Sequence, residues 1–288
     1  SILIKNKYDL LHLFNNKAIV NGIRAAKGLS VKVATYRGVV GNANWYDPTS
    51  YLTHLHPRVD GITALSPAVN VYLNRQVWKN SKIIETVPKG QHSDWFKNVQ
   101  IADLQQFKVL KDIFTIACIA NVRKVKGIPD LITAMRHLSS DHEWNVLLIG
   151  NGMDSPKIKQ LIDRSPRWVH FYPIGFQKDV LPYIAAADLY VQPSRMEGLG
   201  KTVQEAMMLE KPVVATAVGG LKDLVINEKT GLAVPAQSPR QLAEAIERMR
   251  SDNALRQRLA KAGRQHIEKE FSVTKSAELL VAFYRKLV

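Results

Sequence analysis

The chain has 288 residues, of which 46% are hydrophobic, and its 40 lysines and arginines outnumber 25 acids, giving a net charge of +15. This length and hydrophobic content allow a large core and predict two domains. The single cysteine excludes an intrachain disulfide framework, and no apolar run approaches the roughly 18 residues of a membrane span. Because no signal-peptide pattern is present, we expect a cytoplasmic location.

In the first third of the chain, short apolar runs alternate with helix-like stretches, which is typical of βαβ winding. Strands are predicted at 10–14, 31–35 and 83–87, a helix at 18–26, and a further strand and helix near 61–74. The long loop 38–58 contains Trp45 and Tyr46. Residues 1–88 are predicted to form a first domain, and the polar, irregular stretch 89–111 is predicted to be a linker.

Strands and helices alternate again in the predicted second domain, 112–268. Strands are predicted at 114–120, 145–149, 169–172, 187–193 and 212–216, and helices at 128–138, 157–163 and 202–209. Cys118 lies in one of the apolar runs and is interpreted as a core residue rather than a nucleophile. The amphipathic stretch 272–287 predicts a terminal helix.

The most informative segment is Glu197–Glu205, Glu-Gly-Leu-Gly-Lys-Thr-Val-Gln-Glu. Two carboxylates flank a glycine turn that leads from a buried strand into a helix. Parallel sheets bind ligands at the carboxyl ends of their strands. Gly198 and Gly200 leave the backbone free to approach a ligand, and the amides at the helix start would face a diphosphate.

The same residues permit a structural interpretation. Thr202 and Glu205 have the spacing of a capping box, in which Glu205 only satisfies an amide at the start of its own helix. A second glycine pair, Gly219-Gly220, follows the strand at 212–216 and indicates, with the first, a common ligand floor.

Longer segments around this motif resemble retaining GT-B glycosyltransferases of family 4. The similarity is carried by Pro-Ser-Arg-Met-Glu-Gly-Leu-Gly-Lys-Thr-Val-Gln-Glu-Ala-Met at 193–207 and Lys-Pro-Val-Val-Ala-Thr-Ala-Val-Gly-Gly at 211–220. Lys-Gly at 126–127, Leu-Ile-Gly-Asn-Gly at 148–152 and Thr-Gly-Leu-Ala-Val-Pro at 230–235 extend it. The resemblance covers most of 113–250.

The resemblance implies an α/β fold of GT-B architecture, in which two Rossmann-like domains face a cleft and a C-terminal helix, 269–288, packs back on the first domain. It implies that Glu197 contacts hydroxyls of the transferred sugar and that Glu205 holds the ribose. The backbone amides between them would take the diphosphate, and a further pair would lie under the nucleobase. These donor-binding candidates are Gly198, Leu199, Gly200, Lys201, Thr202 and Val203, with Gly175 and Phe176 at the base.

The resemblance also implies a cationic clamp on the departing diphosphate. Lys126 matches the family's lysine, but Asn121 occupies the position of its arginine, so Arg123 is the candidate to replace it, with Lys124 as a less specific one. No cofactor is predicted, and the predicted donor substrate is a UDP- or GDP-sugar.

The first domain departs from the family pattern. The chain begins at Ser1, close to what resembles a mid-domain strand, so the resemblance implies an N-terminally truncated first domain. Many members carry a histidine after the strand at 31–35, where this chain has Tyr36-Arg37-Gly38. Arg37 is therefore a candidate catalytic cation, because a guanidinium is always charged and binds phosphate with two nitrogens. The alternative is a solvated surface arginine.

No metal site is predicted. The sequence has no Asp-x-Asp motif that would hold a divalent ion on the diphosphate. His54-x-His56 lacks a further ligand at suitable spacing. The glycines at 150 and 152 lack the rest of a dinucleotide fingerprint and are interpreted as a strand-to-helix turn.

Three functions remain open at this stage. The leading hypothesis is retaining hexosyl transfer from a nucleotide diphosphate sugar to a glycan or lipid-linked acceptor, as in cell-envelope polysaccharide biosynthesis. The alternatives are a degenerate nucleotide-sugar binding module and a nucleotide-sugar epimerase. The charge of +15 is compatible with peripheral contact to an anionic membrane surface or with solubility alone. No nucleic-acid-binding motif is present, and no nucleic-acid partner is predicted.

Overall fold

A computed structural model describes residues 2–77 and 82–288 and divides the chain into two compact units. The first unit comprises Ser1–Gly90 and Phe271–Val288, and the second comprises Gln91–Glu270. The predicted first domain, 1–88, includes residues 1 and 78–81, which lie outside the described residues. Most of the predicted linker belongs to the second unit, where Ser93–Phe96 and Leu104–Phe107 form 3-10 helices.

The first unit contains a parallel sheet of four described strands in the order β1-β2-β3-β4. The strands are β1 (Leu10–Leu13), β2 (Lys32–Arg37), β3 (Gly61–Ala64) and β4 (Ile83–Thr86). Helices α1 (Ile2–Asn6), α2 (Asn16–Ala25) and α3 (Pro67–Asn74) and the 3-10 helix Pro48–Leu52 accompany them. The elements predicted from the sequence are confirmed here to within about two residues.

Local chemistry explains where two of these helices begin. The side chain of Asn15 accepts a hydrogen bond from the amide of Ala18 at 2.9 Å and so caps α2. Ser66 caps α3 in the same way, and Pro67 fills the first helical position, where no amide hydrogen is needed.

The second unit is built on a six-stranded parallel sheet in the order β10-β9-β8-β5-β6-β7. Its described strands are β5 (Thr115–Ile119), β6 (Trp144–Ile149), β7 (Val169–Gly175), β8 (Leu189–Gln192), β9 (Val213–Thr216) and β10 (Leu232–Val234). Most of these strands are buried along their whole length, which fits a parallel sheet covered on both faces. The predicted α/β fold class is confirmed.

Helices cover this sheet, and one further helix ends the chain. They are α4 (Ile128–Ala134), α5 (Pro156–Ile162), α6 (Leu181–Ala186), α7 (Lys201–Met208), α8 (Leu221–Leu224), α9 (Pro239–Ser251), α10 (Asn253–Glu270) and α11 (Val273–Leu287). Short 3-10 helices lie at Lys124–Lys126 and Met135–His137. None of the helices in the described residues is both long and apolar enough to cross a membrane.

The terminal helix α11 belongs to the first unit. Ser272 caps it, accepting from the amide of Lys275 at 3.2 Å, and Phe283 and Leu287 are buried on its inner face. These two side chains pack with Ala34 of β2. The helix lies so close to β3 that a Cβ on Gly61 would come within 2.8 Å of the Phe283 ring, so a larger residue there would displace that ring.

Strand order places a crevice in the second sheet. From the central strand β5 the chain proceeds outwards through β6 and β7, and then returns to the other side of β5 with β8, β9 and β10. The loops after β5 and β8 therefore leave the carboxyl edge in different directions. Such a switch point is where open α/β sheets bind ligands.

Candidate functional site

A cavity of about 330 Å³ opens at this switch point, entirely within the second unit. The loops after β5, β6, β7 and β8 and the start of α7 supply its walls. The lining residues are Ile119, Ala120, Asn121, Arg123, Lys126, Ile149, Gly150, Phe176, Gln177, Val180, Glu197, Gly200, Lys201 and Thr202. Of the candidates from the sequence, this cavity brings together Arg123, Lys126, Phe176, Glu197, Gly200, Lys201 and Thr202.

A glycine lies where the loops after β5 and β8, which form part of the cavity wall, come into contact. Gly127 has a φ of +66°, and a Cβ there would lie 1.9 Å from the carbonyl oxygen of Pro193. The loop after β5 can therefore approach the end of β8 only with glycine at this position. Arg195 fixes the same contact, since its guanidinium makes a bidentate ion pair with Asp130 at 2.7 and 2.8 Å.

Helix α7 presents its N-terminus to the cavity. Gly200, with a φ of +98°, is the N-cap and provides no side-chain cap. The amides at the start of the helix carry the positive end of its dipole. The amide of Val203 already donates to the carbonyl oxygen of Gly200 at 3.1 Å, which leaves those of Lys201 and Thr202 for a ligand. The capping-box interpretation of Thr202 and Glu205 is wrong, because the helix begins at Lys201 and Thr202 is already its second residue.

Glu197 and Lys126 form an ion pair in the wall of the cavity. The Lys126 Nζ donates to Glu197 Oε2 at 2.7 Å, and the side chains are 26% and 15% exposed. The Ser194 hydroxyl donates to the same oxygen at 3.0 Å. Among the described residues, no donor is hydrogen-bonded to Glu197 Oε1, so that oxygen remains an acceptor.

Glu205 lies on the inner side of α7 and is only 6% exposed. Its Oε1 pairs with Lys201 Nζ at 2.9 Å, whereas its Oε2 is buried and has no partner within the described part of the chain. Burial raises the pKa of Glu205, and the neighbouring Lys201 counteracts this shift in part. A buried acceptor without a donor costs free energy. Glu205 is not among the residues that line the cavity, so its side chain would have to move before a ligand hydroxyl could reach this oxygen.

The cationic residues after β5 differ in position. Arg123 precedes the 3-10 helix Lys124–Lys126 and lines the cavity with Lys126, whereas Lys124 is exposed and is not among the lining residues. Asn121, at the family's arginine position, accepts a hydrogen bond from the amide of Asn151 at 3.0 Å and also lines the cavity. Of the cationic residues after β5, Arg123 and Lys126 therefore line the cavity, and Lys201 of α7 lines it as well.

The predicted nucleobase pair lies at the end of β7. Gly175 has a φ of +81° and accepts a hydrogen bond from the amide of Gly150 at 2.8 Å. Phe176 follows it, 63% exposed and in the cavity lining. Gly150 and Gly152 lie in the turn between β6 and α5, as the sequence predicts.

Five candidates of the second unit lie outside the cavity lining: Gly175, Gly198, Leu199, Val203 and Glu205. Gly198 and Leu199 belong to the turn before α7, and Val203 is buried on that helix. Gly219 supports the same turn, because a Cβ on it would lie 1.8 Å from the Glu197 carbonyl oxygen. The predicted common floor is thus a contact of two backbone turns beneath the cavity.

Arg37 belongs to the first unit, at the end of β2, and is 8% exposed. Its Nε donates to the carbonyl oxygen of Val39 at 3.1 Å, and a terminal nitrogen donates to that of Gly41. Burial lowers the pKa of Arg37. These contacts hold the loop 38–41, and a catalytic role for Arg37 stays a prediction.

The remaining candidates have local partners. His54 is buried and hydrogen-bonded to Thr35 at 3.0 Å, and burial lowers its pKa to about 4. His56 accepts from the amide of Arg58. Across residues 2–77 and 82–288, no three His, Cys, Asp or Glu side chains cluster as a metal site. Cys118 is buried in the core, which raises its pKa to about 12.

Aromatic candidates of the long loop are exposed. Trp45 and Tyr46 are 62% and 68% exposed and pack edge to face at 5.7 Å between ring centroids. Their predicted contact with an acceptor sugar stays a prediction.

Sequence reasoning missed the polar side chains beneath Glu197. Tyr190, Gln192 and Ser194 are wholly buried and hydrogen-bonded in series towards its carboxylate. One signal was available: Gln192 is a polar residue at the end of an otherwise apolar buried strand, where burial must be compensated by hydrogen bonds.

Residues 100–266, more than half of the chain, match the model of the family described as glycosyl transferases group 1, and the chain belongs to this family. The capsular polysaccharide biosynthesis glycosyltransferase CapM of Staphylococcus aureus is 30% identical over 170 residues, covering 57% of this chain and 44% of that protein. The lipopolysaccharide core biosynthesis glycosyltransferase LpsD of Rhizobium meliloti is 27% identical over 224 residues, covering 77% of this chain and 63% of that protein. The chain thus spans about half the length of these curated relatives.

Solved structures share the fold over almost the whole chain. Sucrose-phosphate synthase from Thermosynechococcus elongatus superposes with a TM-score of 0.79 at 27% identity, covering 99% of this chain and 75% of the other. Anabaena HepE, solved in complex with UDP and glucose, gives a TM-score of 0.83 at 20% identity, covering 99% and 80%. The α/β fold with two parallel sheets is the GT-B architecture, which confirms the predicted fold.

Proposed function

We propose that this chain is a retaining glycosyltransferase that moves a hexosyl group from a nucleotide diphosphate sugar to a glycan or lipid-linked acceptor. The observation that carries this proposal is the pair of carboxylates around the start of α7. Oε2 of Glu205 is buried and has no donor among the described residues. Glu197 lines the cavity, where its Oε2 accepts a hydrogen bond from Lys126. Membership of the glycosyl transferases group 1 family supports the reaction class.

A nucleotide diphosphate sugar matches the chemistry of the cavity. Its diphosphate would lie against the amides at the start of α7, near Arg123 and Lys126. A ribose hydroxyl would donate to Glu205 Oε2, and the base would lie at Gly175 and Phe176. The structures of HepE with UDP and with UDP-glucose, on the same fold, support a donor of this class.

Charge determines the division of roles during transfer. Cleavage of the anomeric bond leaves negative charge on the diphosphate and positive charge on the sugar ring. Arg123, Lys126 and the helix amides stabilise the diphosphate, while Glu197 accepts hydrogen bonds from sugar hydroxyls. We assign Glu197 no nucleophilic role. Transfer on one face of the sugar, assisted by the departing diphosphate, retains the anomeric configuration.

We also propose that transfer is independent of a divalent metal and needs no cofactor. Side-chain cations and helix amides supply the charge that a metal would otherwise supply at the diphosphate. For the acceptor, the net charge of +15 favours contact with an anionic surface, so a lipid-linked acceptor at the cytoplasmic face of a membrane is part of the proposal.

Calorimetry tests the donor site. Uridine and guanosine diphosphate sugars are titrated, without added metal, into the wild-type chain, Glu205→Ala and Glu244→Ala. Glu244 is an exposed carboxylate on α9 and serves as the matched control. We expect one nucleotide class to bind, about tenfold to a hundredfold more weakly to Glu205→Ala and unchanged to Glu244→Ala. Failure of a folded wild-type chain to bind any of them would contradict the proposal.

Turnover separates transfer from the alternatives. Release of nucleoside diphosphate only when an acceptor from a panel of sugars and lipid-linked sugars is present would support a transferase. Binding without release across the panel would identify a binding module, and conversion of the donor sugar without release would identify an epimerase.

A further inference from the structure

A chain of buried polar groups leads to Glu197 from β8. Leu189 and Val191 of this strand face the apolar core, whereas Tyr190 and Gln192 point to the opposite side. Tyr190, Gln192 and Ser194 are at most 1% exposed. Apolar side chains would fill these positions without the cost of burying polar atoms, so the polar residues need a reason.

The hydrogen bonds of these groups run in series. Tyr190 Oη lies 2.8 Å from Gln192 Oε1, Gln192 Nε2 lies 2.8 Å from Ser194 Oγ, and Ser194 Oγ lies 3.0 Å from Glu197 Oε2. Thr202 Oγ1, at 3.4 Å, is a second and longer donor to Gln192 Oε1.

Chemistry fixes the direction of every proton in this series. The ionised carboxylate of Glu197 only accepts, so the single hydroxyl proton of Ser194 points to it. Ser194 must then accept from the amide nitrogen of Gln192. This orients the Gln192 amide and leaves its oxygen to accept from the Tyr190 hydroxyl. The series therefore has one consistent arrangement, and it ends at Glu197 Oε2.

With the proposed transferase function as its basis, we propose that Ser194 and Gln192 are positioning residues that hold the Glu197 carboxylate with Oε1 directed at the hydroxyls of the transferred sugar. Ser194 and Lys126 both occupy Oε2 and thereby define the rotation of the carboxylate. Lys126 has a flexible side chain and faces the cavity, where a diphosphate competes for it. Ser194 is fully buried, so its hydrogen bond persists when the diphosphate binds.

The test compares each sugar nucleotide with the bare nucleotide. UDP-glucose, UDP, GDP-mannose and GDP are titrated into the wild-type chain and into the variants Ser194→Ala, Gln192→Met and Tyr190→Phe. We expect Ser194→Ala to bind the nucleoside diphosphate as the wild type does. It should lose about tenfold to a hundredfold of the affinity that the sugar adds, the range for one hydrogen bond to a charged group.

Two variants resolve the series further. Gln192→Met keeps the length of the side chain but frees the Ser194 hydroxyl to rotate, so it should lose less of the sugar-dependent affinity than Ser194→Ala. If Ser194→Ala fails to fold, Gln192→Met replaces it in the comparison with the wild type. Tyr190→Phe is the control, since Thr202 still donates to the Gln192 oxygen, and it should retain the sugar-dependent affinity.

Unchanged sugar-dependent affinity in both Ser194→Ala and Gln192→Met would overturn the positioning role and leave the transferase function intact. A wild-type chain that binds none of the four probes would contradict the transferase function instead. The positioning role is then decided by crystal structures of the wild type and Ser194→Ala: a rotated Glu197 carboxylate supports it, and an unmoved carboxylate overturns it.

Discussion

Glu197 and Glu205, eight positions apart, differ in burial and in the hydrogen-bond donors that surround their carboxylates. Glu197 Oε2 receives hydrogen bonds from Lys126 and Ser194. Glu205 is more deeply buried, and one of its oxygens has no donor within residues 2–77 and 82–288. The chain therefore sustains a free-energy cost at Glu205, and under the proposed function a hydroxyl of the donor would relieve it.

Glu205→Gln is expected to stabilise the ligand-free chain in a pH-dependent way. Burial raises the folded-state pKa of Glu205 above its ordinary value of 4.5. The folded state then holds this proton more tightly than the unfolded state, so stability falls as the pH rises from 4.5 through the raised pKa. The glutamine variant lacks this titration, and its stability relative to the wild type should increase across that range.

Urea unfolding at a series of pH values measures this difference. Glu244→Gln, at an exposed position, should show no such trend. A constant difference between Glu205→Gln and the wild type at every pH would show that Glu205 is not destabilised by burial.

Lys126→Met should lower turnover about tenfold to a hundredfold, because one charge-assisted hydrogen bond contributes about 1.5–3 kcal/mol. Its partner Glu197 would also lose its cation. Lys124→Met is the matched control, since Lys124 lies in the same 3-10 helix but is exposed and outside the cavity lining. Steady-state kinetics with donor and acceptor provide the measurement, and equal effects of the two variants would argue against a specific role for Lys126.

At the scale of elements, the site depends on turns that touch through their backbones. The turn after β9 packs against the turn after β8, and Gly219, with a φ of +49°, lies at their contact. The turn after β5 approaches β8 through Gly127 in the same way. Adjacent strands bring these turns together, and because Gly127 and Gly219 have no side chain, the backbones of the turns can come into contact.

Gly219→Ala is expected to destabilise the second unit strongly, because its Cβ would overlap the carbonyl oxygen of Glu197 and force a backbone shift. Gly175→Ala is the matched control in the same unit: its φ is +81°, but nothing lies within 4 Å of the added carbon. The control should lose about 1–2 kcal/mol from backbone conformation alone, and Gly219→Ala roughly twice that or more. Denaturant unfolding compares them, and equal losses would mean that the contact relaxes without cost.

At the scale of the whole molecule, the chain leaves the first unit at Gly90 and returns to it at Phe271. The returning helix α11 supplies Phe283 and Leu287 to a core that also contains Ala34. A hydrogen bond of 2.8 Å joins the Tyr284 hydroxyl to His12. The end of the sequence is thus an integral part of the unit formed by its beginning.

Phe283→Ala should destabilise the first unit by about 3–5 kcal/mol, the usual cost of removing a fully buried phenylalanine side chain. Val281 lies on the same helix and is 45% exposed, so Val281→Ala should cost less than about 1 kcal/mol. Denaturant unfolding followed by circular dichroism measures both. Similar losses in the two variants would contradict the integration of α11 into the core.

The sequence by itself determined most elements, the fold class and the position of the main motif. Short apolar runs placed β1 and β5, and an amphipathic helical pattern placed α11, to within about two residues. β5 is buried along its whole length, as a continuous apolar run predicts. No elements were predicted where α9 and α10 lie, although the buried apolar residues of both recur at helical spacing.

Only the tertiary structure decided which polar atoms meet. Glu197 and Lys126 are 71 positions apart, and their ion pair exists because β8 lies beside β5. Whether Glu205 Oε2 has a donor, and which hydrogen bonds link Tyr190 to Glu197, likewise depend on what packs against each side chain. Local sequence patterns report the burial of a face, whereas hydrogen-bond partners depend on strand order and on distances between segments remote in the chain.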